Sequence, residues 1–181
     1  MADAAPGGER RFLPNDAGCF VCGHANPRGL AVRFWREGDA VVGRFVPQVE
    51  HEGYRGRVHG GVLTALLDEV MAWAPCVRIG RFCVSAEITV RFVRPAPLGA
   101  PLLVRGEMTA DRAGRSSAGR LCDTRAEIRD EAGALIARAT GRYVPLSAEQ
   151  TAEIVRDLST DGQPATLAEI LADLTRPAAG T

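Results

Sequence analysis

One stretch constrains the fold of this chain more than any other: Arg57-Val58-His59-Gly60-Gly61-Val62-Leu63-Thr64-Ala65-Leu66-Leu67-Asp68-Glu69-Val70-Met71-Ala72-Trp73-Ala74. It opens on a His-Gly-Gly turn and continues as about four turns of good helix formers. Between Val62 and Ala74 only Thr64, Asp68 and Glu69 are polar. A helix this apolar around its circumference must be wrapped by other structure. A carboxylate inside such a helix must be solvated, paired or used. The glycines leave the backbone N–H groups at the helix start unobstructed, and these favour a negative or polarisable oxygen. Pro75 is where the pattern predicts that the helix stops or kinks.

The wrapping material is legible on both sides. Leu30 to Arg36 and Ala40 to Val46 read as strands joined at Gly38-Asp39, and Pro47 ends the second. His51 to Arg57 is a glycine-punctuated loop leading to the helix. After it, Phe82 to Val93 alternates, with Val84, Ala86, Ile88, Val90 and Phe92 on one face and Ser85, Glu87, Thr89 and Arg91 on the other. Strands over Leu102 to Thr109, Leu121 to Arg129 and Ala134 to Val144 follow, separated by turns at Asp111 to Ser116 and at Asp130 to Gly133. Four strands with tight connections predict an antiparallel meander. The order β-β-α-β-β-β-β gives an α+β fold, one long helix against one antiparallel sheet.

The ends read differently. Residues 1–17 are small and charged, a flexible N-terminus. The main domain runs from 18 to 146. From Ser147 a helical tail over 147–181 begins, with Ser147 and Gln150 as a capping pair. Its apolar stripes are Ile154, Val155 and Leu158, then Leu167, Ile170, Leu171 and Leu174.

Charge and composition remove several function classes. Basic and acidic residues balance at 22 each, which offers no footprint for nucleic acid or an anionic membrane. Every basic residue is Arg, so Schiff-base chemistry, lysine-anchored pyridoxal phosphate and a Walker-type phosphate loop are excluded. No span reaches transmembrane length, and the N-terminus carries no apolar run. With five Cys, an odd number, this predicts free thiols in a reducing cytoplasm. Cys19-Phe20-Val21-Cys22-Gly23-His24 offers three zinc ligands, but a structural site needs a fourth and no second pair stands at finger spacing. The expectation is a turn-rich entry with two metal-free structural thiols.

The candidates for chemistry are few. Asp68 is either part of a wet stripe with Thr64 or a carboxylate held in an apolar cleft as nucleophile or general base. Glu69 is turned about 100° from it, so the two make no acid/base pair on one face. His59 is a cap or hydrogen-bonded loop residue, or a base. Ser85 lacks the Gly-x-Ser-x-Gly elbow of a hydrolase nucleophile, leaving an orienting hydroxyl. Arg91, Arg94 and Arg115 are either solvated charges or phosphate contacts. Met71, Trp73 and Phe82 are either core or the lining of an acyl pocket.

Laid out in this way, the chain from about Cys19 to Pro145 resembles the PaaI-like branch of the hotdog-fold acyl-CoA thioesterases. The resemblance rests first on His59-Gly60-Gly61 with Asp68 nine residues after the His, where the family keeps its catalytic carboxylate. It rests also on Val84 to Phe92, where Ser85 matches a Ser or Thr near the attacking water, and on Gly114-Arg115-Ser116, a turn whose basic residue lies near CoA. Cys19-x-x-Cys22-Gly23 with Asn26-Pro27-x-Gly29-Leu30 is similar to the entry of many bacterial members. It departs at Gly53, where several members carry an Asn or Gln that touches the thioester. The resemblance implies hydrolysis of acyl-CoA, with Asp68, Gly60, His59 and Ser85 as catalytic residues. Gly53, Gly61, Arg91, Arg94 and Arg115 are implied on the substrate side. It implies no metal and no cofactor, and a homodimer with sites at the subunit interface; a dimer of dimers is admitted. The alternative is a hotdog protein that binds acyl-CoA or a lipid-like ligand without turnover.

Overall fold

The computed structural model describes residues 12–116, 119–160 and 163–164; the side chains of 112–120 and those after Ser159 lie outside that description. The central helix α1 spans Gly60–Ile79, 20 residues. His59 caps its start, and Gly80 ends it in a left-handed conformation (φ 64°), donating its N–H to the Cys76 carbonyl at 2.9 Å. Pro75 does not stop the helix. The missing hydrogen bond and the ring crowding cost about 3 kcal/mol, but Cys76 and Val77 beyond it are buried and hold the last turn down. No helix among the described residues is long and apolar enough to cross a membrane.

Before α1 stand β1 (Asn15–Asp16), β2 (Phe34–Glu37), β3 (Ala40–Phe45), β4 (Glu52–Tyr54) and β5 (Arg57–Val58). After it come β6 (Cys83–Phe92), β7 (Leu102–Ser116), β8 (Gly119–Asp130) and β9 (Leu135–Pro145), then helix α2 (Ala148–Asp157) and the short strands β10 (Leu158–Thr160) and β11 (Gln163–Pro164). The main sheet has six antiparallel strands in the order β2-β3-β7-β8-β9-β6. β2 and β3 are joined at Gly38 and Asp39, where Gly38 takes a φ of 63° that a side chain would resist. Only β7, β8 and β9 form the meander. β6 does not pair with β7; it crosses to the far side of β9, because the connection through Pro95 and Pro97 is held elsewhere, with the Val58 N–H on the Ala96 carbonyl and the Leu98 N–H on the Gly56 carbonyl. β7 also runs on through Ser116 and β8 begins at Gly119, so the polar residues 111–116 expected as a turn lie in extended backbone. Polar composition there does not mark a reversal of the chain.

One face of the sheet grips α1. Leu66, Leu67, Val70 and Met71 are fully buried with Leu102, Val104, Ile128 and Ala137 from the strands. Each large side chain so buried contributes about 1.5–3 kcal/mol. The opposite face carries charge in cross-strand pairs: Arg105 to Glu37 at 2.9 Å, Arg125 with Glu107, and Arg142 to Glu87 at 3.1 Å.

Part of the N-terminal stretch and of the tail is tied in. Phe12 bridges to Trp35 with the rings edge to face, and Asn15–Asp16 pairs with Leu158–Ser159. Val155 and Leu158 are buried in the core cluster. α2 is capped as expected by Ser147 and Gln150. The second expected stripe, Leu167 to Leu174, lies outside the described residues.

Candidate active site

Asp68 sits on the third turn of α1, its side chain partly buried. Its Oδ1 accepts a hydrogen bond from the Tyr143 hydroxyl at 2.7 Å, and the same hydroxyl lies 3.2 Å from the Asp68 carbonyl. Tyr143 is fully buried on β9. Burial, then the Asp68 charge, push its phenol far above its usual range, so it remains a donor. Tyr143 fits there because position 141 is glycine; a Cβ on Gly141 would come within 2.6 Å of the ring. With Oδ1 held, Oδ2 is the oxygen left for a ligand. Tyr143 went unnoticed in the sequence; its signal was parity, since it falls on the inward-facing positions of β9 with Ala137, Ala139 and Gly141.

Ser85 is the cross-strand partner of Tyr143. The simple alternation of β6 fails at this point. Ser85 pairs with Tyr143 and Glu87 with Arg142, so Ala86 is an extra residue in a bulge. The bulge puts Ser85 on the α1 side together with Ile88, Val90 and Phe92, and turns Val84 outward. Uninterrupted alternation would have sent Ser85 to the outer face with Glu87. The same register places Arg91 opposite Arg138 on the outer face, away from α1. Arg94 follows the strand and is exposed. The backbone of Arg115 belongs to β7, and its side chain lies outside the described residues.

At the helix start, His59 accepts the Gly61 N–H on Nδ1 at 2.9 Å. Nδ1 is therefore the unprotonated nitrogen and Nε2 carries the hydrogen. His59 thus occupies the Gly61 N–H, while the Gly60 N–H has no partner among the described residues. The ring of Phe92 covers this spot: a Cβ on Gly60 would meet it at 3.2 Å. Gly53 packs on the His59 backbone, where a Cβ would come within 2.9 Å of the His59 Cα. A longer side chain at 53 would push the cap away, which accounts for the glycine. Glu52 instead closes the β4–β5 turn by accepting the Gly56 N–H at 2.5 Å.

Glu69 points elsewhere, as its angular offset predicts. It accepts a hydrogen bond from Trp73 Nε1 at 3.2 Å and faces Cys19, and burial raises its pKa to about 7. Trp73, Met71 and Phe82 are core, with the Trp73 and Phe82 rings edge to face at 5.7 Å. A concavity of about 610 Å³ lies over the outer face at Arg105, Arg125, Glu127 and Arg138, and Asp68 is not among its lining residues. A single subunit thus presents a held carboxylate and, at the start of the same helix, an N–H with no partner among the described residues.

Tyr143 holds the carboxylate without reaching a ligand, so it is a positioning residue. Tyr143→Phe should lower turnover about 10- to 100-fold, the equivalent of one hydrogen bond to a charged group, with KM little changed. Steady-state kinetics beside a thermal melt test this; unchanged kcat in a folded variant would reduce Tyr143 to packing.

A family model described as the thioesterase superfamily matches residues 55–137. Among solved structures, the thioesterase superfamily protein RHA08564 is 25% identical, with 78% of this chain and 70% of that one covered at a TM-score of 0.61. The Escherichia coli PaaI protein from the phenylacetic acid degradation operon is 20% identical (65% and 81% covered, TM-score 0.55). The Streptococcus mutans protein smu.793, bound to acetyl CoA, is 20% identical (61% and 84% covered, TM-score 0.53). No curated protein matches the chain. Helix, sheet order and these matches agree: the chain has the hotdog fold seen in PaaI-like thioesterases, and its residues 55–137 are similar to the thioesterase superfamily.

Proposed function

We propose that this protein hydrolyses acyl-CoA thioesters to the free acid and CoA, as a homodimer with two composite sites. The observation that carries this is the Asp68 carboxylate, fixed by Tyr143 on the wrapped helix, with the Gly60 N–H at the helix start unpartnered among the described residues. The acetyl CoA named for smu.793 supports the ligand class.

Asp68 and Gly60 are eight residues apart on one helix, about 12 Å along its axis. A polarising N–H must lie about 3 Å from the carbonyl oxygen, and the attacking group must reach the adjoining carbon. One helix cannot bring both to one carbon; a second helix running antiparallel beside it can. Strand β6 supports the pairing. It is a sheet edge ten residues long, and Val84, Phe92 and Val93 are about half exposed on and just after it. A long apolar edge needs a cover, and a second copy supplies one symmetrically.

In this reading the Gly60 N–H of one subunit polarises the carbonyl and His59 fixes the turn. Asp68 of the other either deprotonates an attacking water or itself attacks the carbonyl carbon; the carbon–sulfur bond then breaks and the CoA thiolate leaves to take up a proton, and in the second case water cleaves the resulting anhydride to release the acid and restore Asp68. Ser85, beside Tyr143, orients the water or the carboxylate. No cofactor takes part. Arg115 and, from the outer face, Arg91 and Arg94 contact CoA phosphates. None of the five cysteines is in a disulfide, in keeping with a reducing cytoplasm.

The test is release of free thiol from a panel of acyl-CoAs, read with a chromogenic reagent. No turnover across the panel, with binding retained, would leave a ligand-binding protein. Arg115→Ala should raise KM more than it lowers kcat, because a phosphate contact acts alike in ground and transition states. Equal loss on pantetheine thioesters that lack those phosphates would refute the assignment.

A further inference from the structure

The entry motif builds a second cluster, away from Asp68. Cys19 and Cys22 lie on a tight turn, with the Gly23 N–H on the Cys19 carbonyl at 3.1 Å. Gly23 is required there: a Cβ would sit 2.4 Å from the Cys19 carbonyl oxygen and 2.6 Å from that of Ala17. Asn26 accepts the Arg28 N–H and donates to the Gly18 carbonyl, and Gly29 tucks beneath Phe20. The motif is thus a rigid scaffold for two sulfurs. The Val21 N–H points at the Cys19 sulfur at 3.3 Å, an arrangement that favours a thiolate.

Glu69 reaches this turn from α1, 50 residues on from Cys19. Its Oε1 is 4.0 Å from Cys19 Sγ, and one donor atom from each of Cys19, Cys22 and Glu69 lies within 4.8 Å of the others. Trp73 Nε1 orients the carboxylate from behind, as outer-shell donors do for metal ligands. After burial, the strongest influences on Glu69 among the described residues are Cys19, Cys22, Trp73 and Asp68, none of them a cation. Packing alone would favour an apolar side chain here, and a carboxylate facing two thiols asks for a positive charge.

We propose that Cys19, Cys22 and Glu69 form a site for a zinc-class divalent cation that pins the entry turn to the central helix. Two sulfurs select a borderline-soft ion over magnesium or calcium. Around a tetrahedral zinc the sulfur–oxygen edge is about 3.5 Å, so closing from 4.0 Å takes only a small shift. Cys19 is partly exposed, which gives the ion an entry path and leaves the fourth position to water. His24, the third ligand suggested by sequence, is not used; its Nδ1 bonds Asn15 Oδ1 at 2.8 Å. This revises the expectation of metal-free thiols and does not depend on the thioesterase reading.

The test uses the full chain, reduced, freed of metal by a chelator and then titrated with Zn²⁺ or Co²⁺. One equivalent per subunit is expected, with a thiolate-to-cobalt charge-transfer band. Zn²⁺ should shield two of the five cysteines from a thiol reagent. Cys22→Ser should abolish the band. Glu69→Gln, which can still accept from Trp73, should fold and bind at least about tenfold more weakly, while His24→Ala should bind normally. Reduced wild-type protein that shows neither band nor shielding would overturn the site. So would a Glu69→Gln variant that binds as tightly as wild type, or metal that survives Cys22→Ser.

Discussion

Asp68→Asn should lower kcat by about 10²–10⁴-fold, the range for losing a positioned base, while the fold survives. The amide oxygen of Asn can still accept from Tyr143, so the core around it keeps its hydrogen bond. Gly60→Pro should be as inactive for a different reason. Proline is well tolerated at the first helical position, but it deletes the free N–H at the helix start. If the site is composite, the two lesions complement. In a heterodimer one site joins the intact Gly60 of one subunit to the intact Asp68 of the other, and the second site holds both lesions. Random reassortment of equal amounts makes half the dimers mixed and restores about a quarter of the wild-type sites. Recovery after mixing, with none in either homodimer, is the expected readout. No recovery while wild-type controls refold, or an active monomer by sedimentation, would remove the dimeric site.

Gly106→Ala should destabilise the protein by about 1–3 kcal/mol, the cost of overpacking a tight contact. Position 106 on β7 lies against α1, and a Cβ there would come within 2.9 Å of the Val70 main-chain carbonyl carbon. Main chain cannot swing aside as a side-chain end can, so helix and sheet must part. For a chain of this size each kcal/mol lowers Tm by about 2–4 °C. Gly18→Ala serves as the control, because its Cβ would meet only the Asp16 carboxylate at an ordinary 3.5 Å. Equal melting temperatures for wild type and Gly106→Ala would show that the helix has room to move.

The helix and its wrapping sheet were legible because burial writes itself into composition: Val62 to Ala74 has no polar face wide enough for solvent. Asp68 stood out for the same reason. What escaped was whatever depended on contacts distant in sequence. Pro75 reads as a breaker locally, and only the buried Cys76 and Val77 show why the helix continues. The partner of β6 was invisible, because alternation fixes faces and not neighbours. Tyr143 and Glu69 were plain in the sequence, yet each takes its role from a residue 50 or more positions away.

The bulge at Ala86 has a consequence for comparing this chain with its relatives. A strand with an extra residue carries two phases, and the phase changes between Ser85 and Glu87. Matching a relative without the bulge by alternation alone would place Ala86 where Ser85 belongs and give the helix-facing hydroxyl a hydrocarbon counterpart. The correct correspondence opens a one-residue gap at Ala86. Deleting Ala86 would remove the bulge and merge the two phases, leaving Ser85 opposite Tyr143 on the helix side and every residue of the strand after it unchanged in pairing.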